Sequence, residues 1–239
     1  MVTILIVAAN PLDTQRLRTD RESRDIVEVI RQARYGADFA VEQGLAVRVS
    51  DLQALLLQHD PDILHFSGHG MESGQILLED ATGNAAAVPP EALRRLFGAL
   101  QGRLRCVVLN SCYSEAQSAA IAESVVSVVG MSAAVSETAA TDFAIAFYRA
   151  LAFGKDIQTA FQLGCAQVAM SEVAEVDVPK LLLRAGQGAP FVRSDAARGA
   201  PPTPPAAAGI SQQIVISGDA HTGNISQIGS TTARDAGGA

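Results

Sequence analysis

The chain has 239 residues, of which 48% are hydrophobic and 18% are charged, and its formal net charge is -7. This length suits one α/β domain with an appendage, and the acidic balance argues against a general nucleic-acid-binding protein. The three cysteines are an odd number, which disfavours a disulfide scaffold. Neither a signal peptide nor an apolar stretch of roughly 20 residues that could span a membrane is evident. The sequence therefore predicts a cytoplasmic protein.

The first half of the chain alternates predicted strands and helices. Residues 2–9 form a continuous apolar run rich in β-branched side chains, which is typical of a strand buried on both faces. Thr19 and Glu22 have the spacing of a capping box, which predicts an amphipathic helix that extends to about residue 34. The other predicted elements are a strand at 38–43, a helix from 50 or 51 to 58, a strand at 62–66, a strand at 75–79, and a helix that begins at Pro89 or Pro90.

The second half continues this alternation. Strands are predicted at 106–110 and 125–131, and helices at 137–153 and 156–171. Strands that alternate with helices predict an α/β fold with a mostly parallel sheet covered by helices on both faces. Sheets of this kind place their chemistry beyond the carboxyl ends of the strands.

The C-terminal region differs in composition from the predicted domain, which covers residues 1–194. Residues 195–209 are rich in Pro and Ala and predict an extended linker. Residues 210–229 follow as a separate β-prone segment, and 230–239 form a predicted disordered end.

Two loops beyond predicted strand ends carry the residues best suited to chemistry. His69 lies in the loop that leaves the strand at 62–66, and Cys112 lies in the loop that leaves the strand at 106–110. If these two strands are neighbours, an imidazole and a thiol face each other across one edge of the sheet. A cysteine nucleophile needs such a partner, because the thiolate is the reactive form.

These loops and several further motifs resemble the CHAT domain, a caspase-like cysteine protease family related to separases and metacaspases. The resemblance covers residues 2–193 and rests on ILIVAANP, SDLQALL, PDILHFSGHG, VVLNSCYS and VVGMSAAVSETAATDFAIAFYRAL. It implies that His69 is the general base, that Cys112 is the nucleophile, and that the backbone N–H groups of Gly70 and Cys112 form the oxyanion hole. It also implies a caspase-like sheet and a dyad without an orienting carboxylate.

The substrate pocket is less specific in the sequence. Asn110 occupies the position where metacaspases carry an aspartate that selects a basic P1 residue, so this chain departs from that pattern. Glu115, Glu137 and Asp142 are candidates for the pocket lining, and each could equally be a solvated charge at the start of a helix.

The remaining cysteines and one further histidine fit simpler structural roles. Cys106 and Cys165 fit the role of small hydrophobic residues, and His65 fits a packed or hydrogen-bonded core position. The two histidines of HFSGH with one cysteine lack a completing ligand set, so no metal is predicted. The chain contains neither G-x-x-x-x-G-K-[ST] nor G-x-G-x-x-G, the glycine-rich motifs that bind phosphate groups, so no cofactor is predicted.

The segment 210–229 carries features of cross-β assembly. It has little net charge and no proline, and its Asn and Gln side chains could stack as ladders. Gln-Ile-Gly at 227–229 is similar to the core of RHIM and related bacterial amyloid signalling motifs, although Ser226 replaces the usual first residue. The alternatives are a disordered tail or a docked hairpin. The candidate assembly residues are Ile214, Ile216, Asn224, Ile225, Gln227, Ile228 and Gly229.

The sequence therefore predicts a cysteine endopeptidase that acts on a protein substrate and assembles with itself through the tail. The resemblance implies a role in bacterial defence or regulated cell death, with a sensor protein that carries a matching motif as a partner. The alternatives are a catalytically inactive CHAT interaction module and a non-proteolytic α/β signalling domain.

Overall fold

The computed structural model describes residues 1–100, 102–171, 175, 177–184 and 191. The predicted linker at 195–209, the tail at 210–229 and the end at 230–239 lie outside these residues. Within the described part of the chain, no helix is both long and apolar enough to cross a membrane.

The strands are β1 (Val2–Ala8), β2 (Phe39–Gly44), β3 (Ile63–Ser67), β4 (Ile76–Glu79), β5 (Ala85–Val88), β6 (Cys106–Asn110), β7 (Ser127–Met131) and β8 (Pro179–Leu183). The helices are α1 (Thr19–Arg31), α2 (Val49–His59), α3 (Pro90–Ala99), α4 (Glu115–Ala122), α5 (Glu137–Ala152) and α6 (Ile157–Ser171), with a short 3₁₀ helix at Gly36–Asp38.

The fold is built on a six-stranded sheet in the order β2-β1-β3-β6-β7-β8. All neighbours in this sheet run parallel except β8, which is antiparallel to β7. Strands β4 and β5 form a separate antiparallel pair. The predicted α/β class with a mostly parallel sheet is confirmed.

Helices cover both faces of the sheet and create two apolar cores. In β1, Ile4 and Ile6 join the core shared with α1, α5 and α6, whereas Leu5 and Val7 join the core shared with α2, α3 and α4. All four side chains are at most 1% exposed. This alternation is why the strand reads as a continuous apolar run rather than as an amphipathic one.

The start of α1 differs from the prediction. Arg18 occupies the N-cap position without a side-chain cap bond. The capping box predicted from Thr19 and Glu22 is wrong, because the Glu22 carboxylate turns toward the sheet and accepts hydrogen bonds there. The helix also ends at Arg31, before the predicted end.

Strands β3 and β6 are neighbours, as the site prediction requires. They pair in register, with Ser67, the last residue of β3, opposite Asn110, the last residue of β6. The loops that carry His69 and Cys112 therefore leave the sheet side by side at its carboxyl edge.

Candidate functional site

A pocket lies at the carboxyl ends of β3 and β6. We call it the carboxyl-end pocket, and its volume is about 70 Å³. It contains four of the candidate site residues predicted from the sequence: His69, Cys112, Asn110 and Glu137. The other residues that line it are Leu17, Thr19, Glu22, Ser67, Gly68, Ser111, Val135, Ala140 and Thr141.

The loop after β6 presents Cys112 at the surface of this pocket. The side chain is half-buried, and its Sγ accepts a hydrogen bond from the Val135 N–H at 3.5 Å and donates to the Val135 carbonyl at 3.7 Å. The next residue, Tyr113, has a φ of 53°, a left-handed conformation that is uncommon for a side chain of this size. Such backbone conformations persist where the surroundings hold them, and they cluster at functional sites.

Buried hydroxyl groups hold this turn in place. Ser114 Oγ donates to the Leu109 carbonyl at 3.1 Å and accepts from the Met131 N–H at 2.9 Å. Ser118 Oγ donates to the Ser114 carbonyl at 2.9 Å. The turn after Cys112 is thus tied to both β6 and β7, which gives the thiol a defined position.

His69 is oriented by a backbone group that no sequence motif marks. Its Nε2 lies 2.6 Å from the Gln15 carbonyl oxygen. A carbonyl can only accept, so Nε2 carries the hydrogen and Nδ1 is the ring nitrogen left for other chemistry. The loop around Gln15 is closed by Asn10, whose side chain donates to the Leu17 carbonyl at 3.0 Å and accepts from the Leu17 N–H at 3.1 Å.

Gly70 brings the two loops into contact. A Cβ built on Gly70 would lie 1.8 Å from the Cys112 carbonyl oxygen, so any other residue type would collide with the main chain. Among the residues that the structure describes, the backbone N–H groups of Gly70 and Cys112 donate none of the observed main-chain hydrogen bonds.

A buried polar network is centred on Glu22, which is one of the residues that line the pocket and is 6% exposed. Its carboxylate accepts hydrogen bonds from Ser67 Oγ and Asn110 Nδ2. His65 Nε2 lies 3.0 Å from the same carboxylate, and His65 Nδ1 lies 3.1 Å from the Tyr148 hydroxyl. Burial raises the pKa of Tyr148 well above its ordinary value, so its hydroxyl keeps the hydrogen. The prediction that His65 is a packed, hydrogen-bonded core residue is confirmed.

The acidic candidates for the substrate pocket occupy different places. Glu137 lines the pocket at the start of α5, and its carboxylate accepts a hydrogen bond from the Arg18 N–H. Glu115 is exposed in the first turn of α4, and Asp142 is half-buried on α5. Neither belongs to the lining described above. Asn110 is buried and also donates to the Ala140 carbonyl at 3.1 Å.

The other two cysteines have different surroundings from Cys112. Cys106 is fully buried in β6, and burial raises the pKa of its thiol to about 12. Burial likewise raises the pKa of the half-buried Cys165 thiol to about 11. Both thiols therefore stay protonated at neutral pH. In the described ranges, no group of three or more His, Cys, Asp and Glu residues is arranged to hold a metal ion.

Comparison with known proteins identifies relatives by sequence. The sequence model of the CHAT domain family matches residues 2–180. A protein named Roc-COR-CHAT protease, from an unknown prokaryotic organism, is 28% identical over 162 residues. That alignment covers 64% of this chain and only 15% of the relative's length.

Solved structures share the fold at low sequence identity. The Arg-specific cysteine proteinase gingipain R aligns with a TM-score of 0.58 and 9% identity over 78% of this chain and 47% of its own. Caspase-1 from Spodoptera frugiperda aligns with a TM-score of 0.51 and 16% identity over 76% of this chain and 85% of its own. At such identities these similarities establish the caspase-like fold alone.

Proposed function

The chain belongs to the CHAT domain family and is a relative of caspase-like cysteine proteases, and from this membership and the geometry of the pocket we propose that it is a cysteine endopeptidase. Cys112 is the nucleophile and His69 is the general base. The observation that carries this proposal is that both side chains line one pocket at the ends of adjacent parallel strands. Open parallel sheets place their active sites at this edge.

The hydrogen bond from His69 to Gln15 sets the direction of proton transfer. Because Nε2–H is donated to the carbonyl, Nδ1 receives the Cys112 proton, and the Gln15 carbonyl stabilises the imidazolium that results. The thiolate attacks the scissile carbonyl carbon and forms a tetrahedral intermediate. His69 then returns the proton to the leaving amine, and water hydrolyses the thioester that remains on Cys112.

The contact between Gly70 and Cys112 supplies the oxyanion hole in this mechanism. Both backbone N–H groups lack a main-chain acceptor among the described residues, and the absence of a Cβ at Gly70 lets the main chains of the two loops touch. Donors fixed before the reaction stabilise the charge that develops on the substrate oxygen without further reorganisation.

Asn110 and Glu137 are the predicted specificity residues that line the pocket. We expect them, rather than Glu115 or Asp142, to influence the choice of P1 side chain. The substrate is a protein, as an endopeptidase requires.

Recruitment through the C-terminal tail is the regulatory part of the proposal. Its support lies in the β-prone residues of 210–229 and in the Pro- and Ala-rich spacer at 195–209. Assembly of the tails, or binding to a sensor protein with a matching motif, would concentrate protease domains at effective concentrations in the millimolar range. A pathway of bacterial defence or regulated cell death fits such a switch.

Identification of newly formed protein N-termini tests this function. A bacterial lysate is incubated with the wild type, with Cys112→Ala, or with Cys165→Ala as a matched cysteine control. The wild type and the control should generate a shared set of new N-termini that Cys112→Ala does not produce. An identical set from Cys112→Ala would contradict the proposal, and no new termini from any protein would favour an inactive interaction module.

A further inference from the structure

We propose that Glu22 is a positioning residue for the catalytic pair, because its one carboxylate joins the strand ends from which both catalytic loops leave. The inference rests on the proposed protease function. It concerns a residue whose sequence context predicted only a helix cap.

The Glu22 carboxylate forms a bridge between the ends of β3 and β6 through its hydrogen bonds with Ser67 and Asn110. Glu22 Oε2 accepts a hydrogen bond from Ser67 Oγ, and Oε1 accepts one from Asn110 Nδ2. Ser67 and Asn110 face each other in the β3–β6 register, and each lies two positions before the catalytic residue of its loop. A shift of either strand end would therefore move His69 relative to Cys112.

A second pair of contacts fixes the carboxylate itself. His65 Nε2 lies 3.0 Å from Glu22 Oε1, and the Tyr148 hydroxyl lies 3.1 Å from His65 Nδ1. His65 and Tyr148 are both fully buried. These contacts link α5 through β3 to α1, and they hold the carboxylate through two residues that do not line the pocket.

The chemistry of the bridge favours a carboxylate. An ionised carboxylate is an acceptor at both oxygens, and here it faces a hydroxyl, an amide N–H and an imidazole N–H. Removing it would leave these three buried donors without their acceptor. Glutamine at this position would keep one carbonyl oxygen and could donate its amide to the Ser67 hydroxyl, so it would preserve part of the bridge.

The backbone pairing of the sheet does not depend on Glu22. The main chains of β3 and β6 are joined by their own ladder from Ile63 to Ser67. Loss of the bridge should therefore act first on the geometry of the loops beyond the strands. Displacements of about 1 Å at a reacting centre can reduce a rate about 100-fold.

The test compares Glu22→Ala and Glu22→Gln with Glu28→Ala in the full chain. Glu28 lies on the same helix, but its carboxylate binds Arg31 and Gln32 at the surface. Four quantities are measured: kcat and KM on a peptide that contains a wild-type cleavage site, the rate of Cys112 alkylation by iodoacetamide between pH 5 and pH 9, and the thermal unfolding midpoint.

We expect Glu22→Ala to lower kcat by about 100-fold with a smaller change in KM, to slow Cys112 alkylation, and to alter its pH profile. Glu22→Gln should recover a large part of kcat, and Glu28→Ala should match the wild type. A folded Glu22→Ala protein with kcat and alkylation rates within about twofold of the wild type would overturn the inference. A lower unfolding midpoint with unchanged rates would also overturn it, because that outcome describes a purely structural residue.

Two further variants cover the case in which Glu22→Ala does not fold. Ser67→Ala and Asn110→Ala each remove one arm of the bridge, and their effects on kcat should be non-additive in the double variant because both act through one carboxylate. Additive effects would overturn the inference. A wild type with neither peptidase activity nor selective Cys112 alkylation would instead overturn the protease function, and the positioning role with it.

Discussion

Gly70 and Cys112 touch through their main chains, so closely that a methyl group on Gly70 would lie 1.8 Å from the Cys112 carbonyl oxygen. The residue after the candidate base is thus packed against the candidate nucleophile. A side chain of any size at position 70 would separate the two loops, whatever its polarity.

Gly70→Ala should therefore lower kcat by about 10²–10³-fold, the range observed when one oxyanion-hole donor is lost. The reason is that the new Cβ displaces one backbone N–H from the position that the substrate oxygen needs. The measurement is kcat on a cleavable peptide, together with thermal unfolding. Gly98→Ala on α3 is the control, because its Cβ would meet only Ser124 Oγ at 3.5 Å, an ordinary contact. Wild-type kcat in Gly70→Ala would argue against the proposed oxyanion hole.

His69 and Cys112 should behave as one unit in mutagenesis. Each of Cys112→Ala and His69→Ala is expected to reduce proteolysis to a small residual rate, and the double variant should retain the same residual rate, because the second change removes a group that has already lost its partner. Cleavage rates of the three proteins provide the measurement, with Cys106→Ala and Cys165→Ala expected to retain most activity. Additive losses, or full activity in Cys112→Ala, would rule out the dyad.

The predicted tail switch can be tested without disturbing the domain. Substitution of Ile214, Ile216, Ile225 and Ile228 by Asp should prevent thioflavin-positive assembly, since stacked like charges oppose a cross-β array. It should also abolish activation by a seed peptide of residues 210–229, while activity of the unseeded protein is unchanged. A wild-type chain that stays monomeric and thioflavin-negative with seeds would remove the assembly hypothesis and leave the protease proposal intact.

The sequence predicted the central parallel strands better than the short elements β5, α4 and β8. Long apolar runs such as Val2–Ala8 indicate buried strands directly, and β3 and β6 were predicted on the same basis. The strand Ala85–Val88 was missed because alanine is a weak strand former. Helix α4 was not predicted, because it has only 8 residues and most of them are small. Strand β8 was not predicted either, because it begins with a proline and lies at the edge of the sheet.

The catalytic candidates were visible in the sequence, whereas the groups around them were not. HFSGHG and LNSC contain a histidine and a cysteine, whose side chains can be recognised from the sequence. Gln15 contributes only its backbone carbonyl oxygen, which every residue has. Glu22 was visible as an acidic residue near a helix start, and that local pattern favoured a cap. Its actual partners, Ser67 and Asn110, are distant in sequence and become neighbours only through the parallel pairing of β3 and β6.

The reactivity of the three thiols offers the most direct test of a His69-assisted nucleophile, because it needs no knowledge of the substrate. With pKa values raised by burial to about 12 and about 11, Cys106 and Cys165 should have thiolate fractions on the order of 10⁻⁵ and 10⁻⁴ at pH 7. Their alkylation should rise about tenfold with each pH unit up to those values, whereas the proposed proton transfer from Cys112 to His69 predicts that Cys112 already reacts near neutral pH.

The decisive measurement is the rate of iodoacetamide labelling at each cysteine of the folded chain at pH 7, read by mass spectrometry in the wild type and in His69→Ala. The account predicts that Cys112 is labelled first by a wide margin in the wild type and that His69→Ala removes most of this advantage. Equal labelling of all three cysteines in the wild type, or a Cys112 rate that does not change in His69→Ala, would contradict it.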